Sequence, residues 1–201
     1  MLSAQALVEL QDRRTRDWHR PEDAQAGDDE RLDDWLKQVA AQHRANFDLW
    51  HIEDEARTPG ASDRQLAEVK RRIDTTNQRR NDLAEQLDRF LLGWLQERNL
   101  QNQAAALHSE SPGLIIDRLS ILALRIFHTR EEAERPGAPV GHAARNWERL
   151  AILEEQRADL AACLDALWQE ALAGTRRFKL YRQLKMYNDP ALNPAIYGKT
   201  P

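Results

Sequence analysis

The chain has 201 residues, 41% of them hydrophobic and 31% charged, with a formal net charge of −4 at pH 7. That length supports one domain with a real core, and the balance suits a helix-rich chain with long solvated faces. The acidic balance excludes a general electrostatic field for nucleic acid, and a single cysteine, Cys163, excludes an intrachain disulfide.

Residues 4–19 read as a short helix with Leu7, Leu10, Arg14 and Trp18 on one side, and "RPEDAQAGDD" breaks it. Asp28 or Asp29 can cap a second helix that runs to about Arg57, with acids in the first turn as the helix dipole prefers. "TPGAS" stops it. Ser62 with Gln65 makes a capping box for a third helix, the longest, reaching about Arg98. After a connector, Ser111-Pro112 opens a fourth helix to about Glu134. "RPGAPVG" is a flexible loop, and a fifth helix runs from about His142 to Ala173, with Gly174 as its stop. Residues 175–188 are compatible with one more short helix, and the proline-bearing end reads as an extended tail. No stretch alternates like a strand.

The expected fold is therefore a single all-α domain. Four long helices form an antiparallel bundle, with a short N-terminal helix and linker over 1–27 and a basic C-terminal extension over 175–201. The helix from Pro112 is apolar nearly all the way round, which places it at the centre. Cys163 in "LAACLDALW" is expected as a buried, inert thiol. The first residues lack the apolar run of a signal peptide, and no stretch approaches the ~20 apolar residues of a membrane span. The cytoplasm is the expected location, and a homodimer is compatible with a long bundle helix.

At about 100° per residue, polar groups fall where core is expected. On the second helix, His43, Asn46, Glu53, Asp54 and Arg57 share a stripe with Val39, Phe47 and Trp50, whereas His51 reads as ordinary surface. On the third, Lys70, Asp74, Asn77, Asn81, Glu85 and Asp88 form a column beside the core face. On the fourth, Asp117, Ser120 and His128 share one face with Leu124. Such groups must be paired, hydrated or turned to a ligand.

Glu53, Asp54, Asp74, Glu85 and Asp88 suit Mg²⁺ or Mn²⁺, hard cations that take carboxylate oxygens. The same residues suit internal pairing, as in Glu53–Arg57 at i,i+4. His43 and His128 are candidate acid/base groups beside Asp117, or hydrogen-bonded core histidines. Asn46, Trp50, Asn77 and Asn81 are candidate ligand contacts, with helix bridging as the competing role for the asparagines. "TRRFKLYRQLKMYN" carries Arg176, Arg177, Lys179, Arg182 and Lys185 among aromatics and without an acid, a composition suited to phosphate or to a solvated face. Walker loops, dinucleotide fingerprints, zinc-type Cys/His spacing and the Gly-x-Ser-x-Gly elbow are all missing.

Several strings together resemble one bacterial family, domain of unknown function 4254. They are "WH" at 18–19, "NFDLWHIEDEAR" at 46–57, "VKRRIDTTNQRRNDLAEQLD" at 69–88, "SPGLIIDRLSILALRIFH" at 111–128 and "LYRQLKMYNDPALNP" at 180–194. Thr is usual in that family where Ser111 stands, and either hydroxyl can cap a helix. The resemblance implies a single all-α cytoplasmic domain and carries no established activity. The encoding of members near glycosyltransferases of envelope polysaccharide assembly points toward sugar-phosphate or nucleotide-sugar chemistry.

Two functions are thus expected in competition. One is a pocket between helices that binds or hydrolyses a phosphorylated sugar or nucleotide, with Arg57, Arg182 and Lys185 neutralising phosphate. The other is a non-catalytic partner of a glycosyltransferase or another envelope-assembly enzyme, whose polar columns are internal networks.

Overall fold

The computed structural model describes residues 2–20, 32–182, 191–194 and 198. The chain is all-α: α1 (Ala4–His19), α2 (Asp34–Glu55), α3 (Asp63–Glu97), α4 (Pro112–Glu134) and α5 (His142–Leu172). Two residue-pair strands, β1 (Ala106–Leu107) and β2 (Arg176–Arg177), pair in parallel.

Helix ends follow local chemistry. Ser62 and Gln65 form the reciprocal capping box of α3, and Pro112 opens α4. Gly174, at φ +69°, takes the left-handed conformation that ends α5. The start of α2 differs from expectation. Asp33 is its cap, accepting from the Leu36 amide at 2.8 Å, and Asp28 and Asp29 lie outside the described residues. The cap goes to the acid whose side chain reaches the first-turn amides.

Residues 175–182 are not helical. The main chain after Gly174 lies beside β1, with the His108 amide donating to the Arg177 carbonyl at 2.7 Å and the Arg177 Nε donating to the Ala105 carbonyl at 2.9 Å. Phe178 is drawn into the core by this pairing. Residues 183–188 of the expected helix lie outside the described residues.

α2 and α3 run in opposite directions. Glu55 pairs with Arg72 while Asp48, two turns earlier, pairs with Arg79, two turns later. α4 packs against all four other helices. Ile115, Ile116, Leu119 and Leu124 on α4 are almost fully enclosed, with Leu7 from α1, Val39 from α2, Leu87 and Leu91 from α3, and Leu164 and Trp168 from α5. α1 is fastened to α5 by the Ala4 amide on Asp165 and by Arg157 on both oxygens of Asp12 at 2.8 Å. Cys163 is exposed, not buried. The buried line on α5 is Leu160, Leu164, Leu167 and Ala171, and Cys163 lies about 100° from Leu164.

Candidate functional site

Polar residues do converge inside the molecule, along a line that crosses four helices. Thr15 of α1 donates its hydroxyl to the Gln11 carbonyl at 2.9 Å, so it accepts from His43 Nε2, also at 2.9 Å. That fixes the proton of His43 on Nε2 and leaves Nδ1 to accept from the Ser120 hydroxyl at 2.7 Å. Ser120 accepts in turn from Asn46 Nδ2 at 2.9 Å. Asn46 also reaches Asp117 Oδ1, as do Gln42 Nε2 at 2.6 Å and Arg80 Nε at 2.7 Å, and Arg80 adds a second bond to Oδ2.

His43 is fully enclosed, and burial pushes its pKa down to about 3. It is a neutral bridge between two buried hydroxyls. Asp117 is spent on one arginine and two amides. Hydrogen bonding to Asp117 in turn pushes the Arg80 pKa up.

The outer end of this line opens into a cleft of about 340 Å³ between α2, α3 and α4. Asn46, Trp50, Glu53 and Asp54 line it from α2, Arg57 from the turn that follows, Arg80 from α3, and Ile121, Leu124 and Arg125 from α4. Five of the expected site residues thus come to one place. Arg57 turns back onto Glu53 and Asp54. Arg125 is exposed and makes no ion pair among the described residues.

The other expected groups are not gathered there. Asp74 pairs with Lys70 and Glu85 with Arg89, both along α3. Asp88 is buried at the other end of the column. It accepts from the Ser111 hydroxyl and, at 2.7 Å, from the Gly113 amide, so it caps α4 from a neighbouring helix. Burial pushes its pKa up to about 6 against those two hydrogen bonds. Asp74 and Asp88 are separated by roughly 21 Å of helix at 1.5 Å per residue, too far to share an ion. Asn77 is half-buried and Asn81 buried on α3, and neither lines the cleft.

The basic segment also lies elsewhere. Arg176 pairs with Glu170, and Arg182 is exposed. Arg176, Arg177 and Lys179 line a different hollow, of about 420 Å³, with Leu92, Leu95 and Asn102. Lys185 lies outside the described residues.

His128 stacks on Trp50 with ring centroids 4.9 Å apart and planes at 10°. Burial, and then the neighbouring His19, hold its pKa below the ordinary imidazole value, against Glu131. His51 is half-buried rather than surface. It hydrogen-bonds the Phe47 carbonyl and tilts onto the Phe47 ring at 4.3 Å.

Sequence reasoning missed Arg80, Arg125 and Gln42. Arg80 follows Asn77 by three residues, which is a same-face spacing. That spacing is the signal that could have found it.

A family model described as "Protein of unknown function (DUF4254)" matches residues 36–180. The chain belongs to the DUF4254 family. The DUF4254 match includes every residue lining the Trp50 cleft and leaves out Gln11, Thr15 and His19 on α1. No curated protein and no solved structure matches the chain. Among the described residues, no helix is long and apolar enough to cross a membrane.

Proposed function

We propose that the cleft between α2, α3 and α4 binds a phosphorylated small molecule, a sugar phosphate or a nucleotide. The observation that carries this reading is the lining itself: three arginines, Arg57, Arg80 and Arg125, meet Trp50 around one concavity. Guanidinium groups are suited to bidentate phosphate contacts, and an indole face suits a base or a sugar ring. Of the three, Arg125 is the one that makes no ion pair among the described residues. Arg80 is oriented by Asp117, so its planar fork is already fixed before a ligand arrives. Glu53 and Asp54 at the rim are acceptors for sugar hydroxyls.

The test is a thermal-shift and calorimetric comparison of glucose 1-phosphate, UMP and UDP-glucose with glucose and uridine. The phosphorylated compounds raise the melting temperature and the others do not. Arg125→Ala, on an exposed position, leaves the fold intact and weakens binding by about tenfold or more, as expected for loss of a charge-assisted contact. No shift across the panel, or binding indifferent to both Arg125→Ala and Trp50→Ala, would remove the proposal. The interaction-partner reading would then stand, with Gln42, His43, Asn46, Asp117 and Ser120 serving as helix register.

A further inference from the structure

Three histidines from three helices meet where α1 ends. His19 is the last residue of α1, His51 lies near the end of α2, and His128 lies in the third quarter of α4. One ring nitrogen from each lies within 4.8 Å of the others. Among the described residues, this is the group of histidine, cysteine and carboxylate side chains placed to share an ion.

The hydrogen bonds decide which nitrogens are available. His19 Nδ1 is 2.7 Å from the Thr15 carbonyl, and His51 Nδ1 is 2.8 Å from the Phe47 carbonyl. A carbonyl only accepts, so both rings carry their proton on Nδ1 and present a bare lone pair at Nε2. His128 Nδ1 faces the Glu131 carboxylate at 3.1 Å, which selects the same tautomer. The Nε2 atoms of His19 and His128 are buried and have no hydrogen-bond partner among the described residues. Buried acceptors left without a donor carry a cost, which a shared electrophile would remove.

Metal-binding histidines show this same pattern: one nitrogen on the ion, the other anchored to a carbonyl or a carboxylate. The rings are also locked by packing. His19 stacks on Phe127 at 4.3 Å, His51 lies against Phe47, and His128 lies on Trp50. Nitrogens on a tetrahedral zinc, at ~2.0–2.1 Å from the metal, are about 3.3 Å apart. The three ligand atoms start within 4.8 Å of one another, so ion binding must draw them closer by about 1.5 Å at most.

We propose that His19, His51 and His128 form a three-histidine site for a late first-row divalent ion, Zn²⁺, Co²⁺, Ni²⁺ or Cu²⁺, with a fourth position left for water or an incoming oxygen ligand. Imidazole selects these ions over Mg²⁺, which takes oxygen ligands. Three protein ligands and an open position are the composition of catalytic rather than structural zinc. Trp50 has one face on His128 and also lines the arginine cleft, so the two sites share a wall. The metal proposal does not depend on what the cleft binds.

The experiment uses the full chain, stripped with a chelator and dialysed. Co²⁺ is titrated in while its visible ligand-field bands are followed, Zn²⁺ is then added as competitor, and bound metal is counted by mass spectrometry. One Co²⁺ per chain with nitrogen-ligand bands, displaced by one Zn²⁺, is the expected result. His51→Gln and His19→Gln each weaken uptake by more than tenfold. Glu131→Gln weakens it by about tenfold through the orientation of His128. His142→Gln, outside the cluster, leaves it unchanged. Nitrogen-resolved NMR of the histidine rings in the unaltered chain gives a reading that needs no variant: Zn²⁺ must move the Nε2 resonances of three rings and spare His43. No stoichiometric uptake, or uptake that survives both His→Gln changes, overturns the site and leaves the three rings as aromatic packing alone.

Discussion

His43 sits between two hydroxyls whose own partners leave it one tautomer, and it is sealed from water. Its pKa falls from 6.5 to about 3 because burial penalises the imidazolium. In the unfolded chain the ring takes a proton as pH drops through 6.5, whereas in the folded chain it does not. The neutral ring therefore contributes its full stability above pH 6.5, and that contribution is lost as pH falls toward 3. Between pH 6.5 and 5 the loss is about 2 kcal/mol. Urea unfolding of the wild type at both pH values measures it. His43→Gln, which cannot titrate, shows a slope smaller by about that amount, whatever its absolute stability. Equal slopes in the two proteins would mean that His43 is reached by water.

At the level of elements, α3 and α4 approach closely at Gly113. A Cβ on Gly113 would sit 2.3 Å from the Ala84 carbonyl oxygen and 2.9 Å from the Asp88 carboxylate. The glycine lets the N-terminus of α4 reach the carboxylate that caps it. Gly113→Ala must part the two helices and loosen that cap, at a cost of about 1–3 kcal/mol or more. Gly93, inside α3, has open space where its Cβ would be. Gly93→Ala gains up to about 1 kcal/mol by restricting the unfolded chain and favouring helix. Chemical denaturation of the pair should show opposite signs, and a shared sign would refute the close-approach argument. The helices and their caps were legible in the sequence because both depend on local chemistry: Ser62 with Gln65, Pro112 and Gly174 each act within a few residues. Pairing of Arg176–Arg177 with Ala106–Leu107 depends on chain some seventy residues away, and no local pattern announces it. The polar stripe on α2 was legible for the same reason as the helix. His51 was misread because it falls to one side of the stripe, yet it lies one turn after Phe47 and leans on that ring.

On the scale of the whole molecule, α4 shares a core with every other helix, and Asp117 lies in its second turn. Two helices deliver hydrogen bonds to that residue: Gln42 and Asn46 from α2 and Arg80 from α3 reach its carboxylate on α4. Periodicity could place these groups on inward faces, but which acid takes which arginine depends on helix rotation and spacing. Asp74 and Asp117 looked alike in sequence; one is paired along its own helix and the other holds helices together. Removing the Asp117 carboxylate strands a guanidinium and two amides. Because Arg80 keeps partial exposure, the loss sits at the low end of the range for broken buried pairs, about 3 kcal/mol. With one core spanning five helices, that loss must lower the whole transition and not release a single helix. The six tryptophans, Trp18, Trp35, Trp50, Trp94, Trp147 and Trp168, are spread over α1, α2, α3 and α5. Their fluorescence and far-ultraviolet circular dichroism should therefore give coincident urea transitions in wild type and in Asp117→Ala, the variant midpoint being lower with an unchanged slope. Transitions that separate in the variant would show that α2 and α3 can leave while α4 and α5 stay folded, and that the polar line is a hinge between two units.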